Sequence, residues 1–263
     1  MAAMRVTVIG CAGSFPGPDS PASCYLVEDD GFRLLIDLGN GALGALQRHA
    51  GLDEIDAICL SHLHGDHCLD MCAYWVARTY GPGGPRPPIP VHGPAGAAGR
   101  LARAQGTDGP QDMSAAFTFE TLSPGTRQVG PFEITADHVN HPVETFGFRI
   151  ASGGRTLAYS ADTGESDALV RLAAGADLML CEASFADPAD PPNPSNPLNP
   201  PNPPGVHLTG RQAGQHAARA GVGELVLTHL VPWNDQAATA AEAAGAFSGP
   251  LSLASSGRIL DLG

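Results

Sequence analysis

Three histidines and an aspartate fall within six consecutive positions of SHLHGDHCLD, at His62, His64, Asp66 and His67. In a turn leaving a strand, the alternate residues His62 and His64 can face one metal ion, while Asp66 and His67 turn towards a second point close by. Imidazole and carboxylate suit divalent Zn, Mn or Fe, and the chain has no C-x-x-C pair to suggest a thiolate site. A polar helix start rarely needs three histidines. Two such ions about 3.5 to 4 Å apart lower the pKa of a shared water to about 7 and hold both the attacking and departing oxygens, so the implied reaction is hydrolysis. The spacing of Asp66 suits it both to ligate and to orient the attacking hydroxide. Cys68, next in line, reads as a buried thiol on a helix face shared with Cys72.

The elements that must position these groups are readable on both sides of the motif. IDAICLSH reads as a buried strand ending at His62, which would hold ligands on rigid scaffold while their loop stays open to solvent. Before it, Arg5 to Gly10, Cys24 to Glu28 and Phe32 to Asp37 form short apolar or alternating runs closed by turn residues, the strands of a meander, and Ala42 to Ala50 is helix-forming. After it, CLDMCAYWVARTY has helical spacing and stops at GPGGPRPP. Further strands are predicted near Phe132 to Ala136, Phe146 to Ile150, Thr156 to Ser160 and Asp177 to Glu182, and in ELVLTHL up to His229, with helices at Ser166 to Ala174 and Arg211 to Ala220. Two similar halves of mixed strands and helices fit an α/β fold with two sheets sandwiched between helices. A length of 263 residues favours one domain, 1–263. Ala186 to Gly205, where proline recurs, must be a loop, either a passive excursion or a flap ahead of His207.

Composition narrows the partners. A formal charge of −13, with 14 arginines and no lysine, would repel a polyanion and offers no basic stripe for tracking a nucleic-acid backbone, so a small substrate is favoured over a nucleic-acid polymer. Six scattered cysteines fit reduced thiols, and MAAMRVTVIG lacks the succession of an export signal; a cytoplasmic location is expected, with no membrane span.

H-x-H-x-D-H after an apolar strand, with the GCAGSFPGPDSPAS loop and the DLGNG turn at Asp37 to Gly41, resembles the metallo-β-lactamase superfamily. That resemblance implies a four-layer αββα sandwich and further ligands downstream: His141 in NHPVETFGFRI, Asp162 in YSADTG and His229 in LVLTHL. It implies His62, His64 and His141 on one metal, Asp66, His67 and His229 on the other, and Asp162 between them. His138 competes with His141, which the following Pro142 and GFRI strand favour. Ala161 stands where the superfamily usually has glycine. Two further residues suit a proton donor, since a histidine bonded to a carboxylate has its tautomer fixed and its pKa raised. These are Glu182 in LCEASF and His207 in VHLTGRQAGQHAARAG, a pair resembling the phosphodiesterase branch that includes tRNA 3′-processing endonucleases of the RNase Z type. His49, His92 and His216 match nothing and read as structural.

Those endonucleases grip tRNA with an arm between the third histidine and the bridging aspartate, whereas Pro142 to Ala161 leaves room only for two strands and a turn. GPDSPAS, GALGALQRHA, DHCLDM, CEASF and HLTG most resemble actinobacterial hydrolases that include atypical class II cyclic-AMP phosphodiesterases. The expected activity is therefore dinuclear-metal hydrolysis of a small cyclic nucleotide, 3′,5′-cyclic AMP first. The alternatives are an arm-less ribonuclease, a thioester, lactone or sulfate-ester hydrolase and, last, a non-catalytic metal-binding protein. Members of this branch are commonly dimers, so a homodimer is expected.

Overall fold

The computed structural model describes residues 4–82, 84–186 and 203–263. Strands β1 (Met4–Gly10), β2 (Cys24–Asp29) and β3 (Phe32–Ile36) pair antiparallel. The β2–β3 reversal uses Asp30 and Gly31, both left-handed as a two-residue hairpin turn requires (φ 47° and 78°). Helix α1 (Ala42–Leu46) leads to β4 (Ala57–Cys59), followed by α2 (Gly65–Cys68), α3 (Asp70–Tyr80), β5 (Ile89–Gly93), α4 (Ala97–Gln105), α5 (Pro110–Met113) and β6 (Phe117–Thr121), and β3 to β6 pair in parallel.

The second half repeats this plan. β7 (Gly125–Val129), β8 (Phe132–His138), β9 (Phe146–Ser152) and β10 (Arg155–Tyr159) form an antiparallel meander. Then come α6 (Asp167–Ala173), β11 (Leu178–Glu182), α7 (Gly210–Ala220), β12 (Glu224–Thr228), α8 (Gln236–Ala244) and β13 (Leu251–Leu253), with β10 to β13 parallel. The last strand, β14 (Ile259–Leu262), returns to pair antiparallel with β1, Met4 opposite Leu262. Among the described residues each sheet has seven strands, in the orders β14-β1-β2-β3-β4-β5-β6 and β13-β12-β11-β10-β9-β8-β7.

Layering follows from side-chain alternation. Tyr25 and Val27 of β2 face the apolar layer between the sheets, with Phe132, Phe146, Phe148 and Leu180 from the opposite sheet. Cys24 and Leu26 face outward onto Leu46, Met71 and Tyr74 of the helices. The second sheet does the same, sending Met179 and Cys181 out to Leu169, Ala213 and Ala217. With both faces covered, such strands read as nearly continuous apolar runs. The order of layers is α, β, β, α, as expected from the sequence. Phe148 is fully buried in the middle layer, and truncating it to alanine is expected to cost about 3–5 kcal/mol.

Two boundaries differ from the sequence reading. β4 stops at Cys59, three residues short of His62, because Asp37 Oδ1 takes the Ser61 N–H (2.7 Å) that would have continued the ladder. The helix expected over 42–50 is α-helical only to Leu46; Arg48 and His49 close i→i−3 bonds instead. Of the proline-rich loop, residues 187–202 lie outside the described residues, and with them the flap reading. No helix among the described residues is long and apolar enough to cross a membrane.

Candidate metal centre

Ends of parallel strands deliver most of the site, the usual place for ligands in open α/β sheets. Asp37 follows β3; Ser61 to His67 follow β4, with Asp66 and His67 in the single turn of α2; Asp162 follows β10, Glu182 ends β11, and His229 follows β12. His141 comes from the β8–β9 connection and His207 from the segment entering α7. That helix starts at Gly210 behind a Thr209–Gln212 capping box, so His207 lies two residues before the cap rather than on the helix.

The structure brings all nine sequence-predicted residues together. His62, His64, His141 and Asp162 make one group and Asp66, His67, Asp162 and His229 a second, while Glu182, His207 and His229 make a third. In the first, His64 Nδ1 lies 3.1 Å from His62 Nε2 and 3.3 Å from His141 Nε2, and His62 Nε2 is 3.6 Å from Asp162 Oδ2. In the second, Asp162 Oδ1 lies 3.1 Å from His67 Nε2 and 3.4 Å from His229 Nε2, and Asp66 Oδ2 is 3.1 Å from His229 Nε2. Asp162 therefore gives one oxygen to each group. Four-coordinate ligand atoms at 2.0–2.1 Å from a cation stand about 3.3 Å apart, which these spacings match.

Two further observations fit a cation. His67 Nε2 and Asp162 Oδ1 are buried, face each other and have no hydrogen-bond partner. Such orphaned atoms are costly unless something satisfies them. Moreover, most of the imidazoles have their other nitrogen committed. His67 Nδ1–H donates to Asp37 Oδ2 (2.8 Å) and His141 Nδ1–H to the Val206 carbonyl (2.9 Å). The Ser61 hydroxyl donates to Asp37 Oδ2 and so accepts from His62 Nδ1–H (3.1 Å). The Ser184 hydroxyl donates to Glu182 Oε2 (2.8 Å) and accepts from His229 Nδ1–H (2.6 Å). Each bond fixes the tautomer that points Nε2 into the site, the outer-shell support seen around metal-ligating histidines.

Electrostatics divide the histidines. Burial holds the His62, His64 and His141 pKa values below the ordinary histidine value, leaving neutral rings with free lone pairs. Burial opposes ionisation of Asp162, yet the neighbouring His229 and His67 outweigh it and keep the carboxylate charged; burial disfavours the charge of His67 too, but Asp162 and Asp37 hold its pKa well above the ordinary histidine value. His207 goes the other way: burial disfavours its charge, but the Glu182 carboxylate, accepting from His207 Nδ1–H at 2.9 Å, lifts its pKa to about 9. Glu182 is itself fully buried and also accepts the Thr163 N–H (2.6 Å).

A beta-lactamase superfamily domain is matched over residues 32–230. The chain belongs to that superfamily. An uncharacterized protein of Mycobacterium leprae is 42% identical over 98% of this chain and 89% of its own. The metallo-beta-lactamase fold protein YhfI from Bacillus subtilis, known from a crystal structure, has 30% identity and a TM-score of 0.83, covering 98% of this chain and 99% of its own. A ribonuclease Z of Mycobacterium bovis is 30% identical over 87% of this chain and 86% of its own.

Within this superfamily chain the remaining histidines stand apart from the centre. His138 is exposed and pairs with Glu144, His92 sits beside Glu120, and His216 accepts the Ser166 N–H while donating to the Gln212 carbonyl. Asp162 caps no helix, since Ser166 caps α6. Cys68 is buried, as expected, and Cys72 half-buried. Sequence reading missed Asp37 as a site residue, along with Ser61, Ser184 and Tyr159, whose hydroxyl also donates to Asp37 Oδ2 (2.8 Å). The one available signal was a lone carboxylate closing the apolar run FRLLID. Ala161 is left-handed (φ 52°), which explains why glycine suits that position; the methyl is tolerated at a conformational cost.

Proposed function

We propose that this chain is a metal-dependent phosphodiesterase that opens a small cyclic nucleotide, with 3′,5′-cyclic AMP the lead substrate. His62, His64 and His141 would hold one divalent cation, Asp66, His67 and His229 a second, and Asp162 would serve both; N and O donors without thiolate suit Zn, with Mn or Fe accepted. Such a pair of cations neutralises phosphate charge and activates water near neutral pH.

The observation that carries the reading is the Glu182–His207 pair, bonded at 2.9 Å beside the two groups. With Nδ1–H committed to Glu182, His207 holds a proton on Nε2, and donating it to the departing ribose oxygen is what phosphodiester cleavage needs from a general acid. Asp66, in the adjoining group that shares His229, orients the attacking water. The ribonuclease Z relative supports a phosphodiester as the bond class. Against a polymeric substrate stand the charge of −13 and the span 142–161, filled by β9, a two-glycine turn and β10. The protein is further read as cytoplasmic and as a homodimer.

Turnover of cyclic nucleotides, bis-p-nitrophenyl phosphate and pre-tRNA by cation-loaded protein tests this. Cyclic nucleotide hydrolysis is the expected result, and inactivity on every phosphodiester sinks it. Undiminished cyclic nucleotide hydrolysis by His207→Ala would overturn the general-acid role of His207, and turnover of a thioester, lactone or sulfate ester with none of any phosphodiester would favour that class of hydrolase instead.

A further inference from the structure

Phe15 and Trp233 meet on the surface beside the centre, ring centroids 5.0 Å apart and tilted by 35°. Both are exposed, Trp233 at 62%. Their two loops are fastened to each other and to the site. Leu230 N–H donates to the Cys11 carbonyl (2.8 Å) and Gly13 N–H to the Leu230 carbonyl (3.1 Å). Ser14 N–H reaches His229 Nε2 at 3.3 Å, and Asn234, next to Trp233, donates its amide to the Ser184 carbonyl (2.6 Å). A Cβ at Gly13 would fall 2.5 Å from the His229 carbonyl, so the first loop lies directly against that ligand.

The turn that aims Phe15 is strained. Ser14 is left-handed (φ 63°) and Phe15 N–H folds back to the Gly13 carbonyl at 2.8 Å. Strain in a non-glycine residue and a large ring left in water both oppose stability, and here they coincide one residue from a group on His229.

Resting on the phosphodiesterase reading, we infer that Phe15 and Trp233 form the platform on which the base of the nucleotide stacks while its phosphate lies over the His–Asp groups. Every base has a π-face, and aromatic rings hold it without charge. That matters in a chain with no lysine and a charge of −13, where stacking adds affinity without a cationic grip.

Two measurements on the full-length protein test the platform. Titrating 5′-AMP should quench tryptophan emission saturably in the wild type and not in Trp233→Phe, because the other tryptophan, Trp75, is buried. Trp233→Ala should raise KM for 3′,5′-cyclic AMP about 5- to 140-fold, with kcat changing less than KM, and Trp233→Phe should recover part of that loss. Turnover with an unchanged KM in Trp233→Ala overturns the platform and leaves the phosphodiesterase reading standing. Quenching without any phosphodiester turnover does the reverse, and neither quenching nor turnover removes both.

Discussion

Asp37 and Glu182 make matching bonds from different strand positions in the two halves. Each is a fully buried carboxylate at the end of a strand, β3 in one sheet and β11 in the other. Each takes one histidine directly and a second through a serine: Asp37 holds His67 and, by way of Ser61, His62, while Glu182 holds His207 and, by way of Ser184, His229. The difference lies in what the histidines then face. Both partners of Asp37 are sealed from solvent and direct Nε2 into the groups that would hold cations. Of the partners of Glu182, only His229 is buried in that way; His207 keeps 12% of its side chain exposed and a pKa of about 9. On the proposed reading, one arrangement in the first half would hold ligands, and in the second it would divide between holding a ligand and poising a proton.

Removing the proposed proton donor breaks the comparison hardest. His207→Ala is expected to lower kcat about 10²- to 10⁴-fold while cation content, measured on the purified protein, stays at the wild-type level. The alkaline fall in activity through about pH 9 should vanish with it. Stability follows the same sign. A pKa raised in the fold above the ordinary 6.5 stabilises fully below 6.5, and that stabilisation disappears as pH rises through about 9. Urea unfolding of chelator-treated protein between pH 6 and 10 should show this decline in the wild type and less of it in His207→Ala.

Asp37→Ala should act on the fold instead. It strands the Ser61, His67 and Tyr159 donors, and an expected loss of about 3–5 kcal/mol by denaturant unfolding would accompany cation affinity about 10- to 100-fold weaker. A smaller, sharper contrast comes from the serines. Ser61→Ala and Ser184→Ala should each cost about 1–3 kcal/mol, but only the second also disturbs Glu182 and thus the pH profile. If both serine variants shift the profile equally, the proposed division of labour fails. The smallest effect is expected at Ala161, where glycine relieves the left-handed backbone; A161G should gain up to about 1 kcal/mol in the same unfolding assay.

Legibility in the sequence was uneven for physical reasons. Imidazoles and carboxylates are costly to bury, so His62, His64, Asp66 and His67 packed into one short segment stand out as a candidate site, and the apolar runs beside them mark the strands that carry them. Asp37, Ser61 and Ser184 are single polar residues of ordinary kinds. What makes them part of the site is contact across 24 to 45 positions, and no local pattern encodes that. Edges were equally silent. β14 is four residues long and its partner lies at the other end of the chain, while β7, GTRQV, is largely exposed and carries little apolar patterning.

That distant pairing bears on how the protein comes into being. β1 is an interior strand only because Ile259–Leu262 lies along it, and six of its seven residues are buried. During synthesis Met4–Gly10 emerges before every other described strand and must wait for residues 259–262 before its outer row of backbone groups finds a native partner. Throughout that interval it is an apolar template open to any neighbouring nascent chain. Deleting residues 259–262, or stalling synthesis before them, is therefore expected to yield aggregate rather than a merely less stable enzyme.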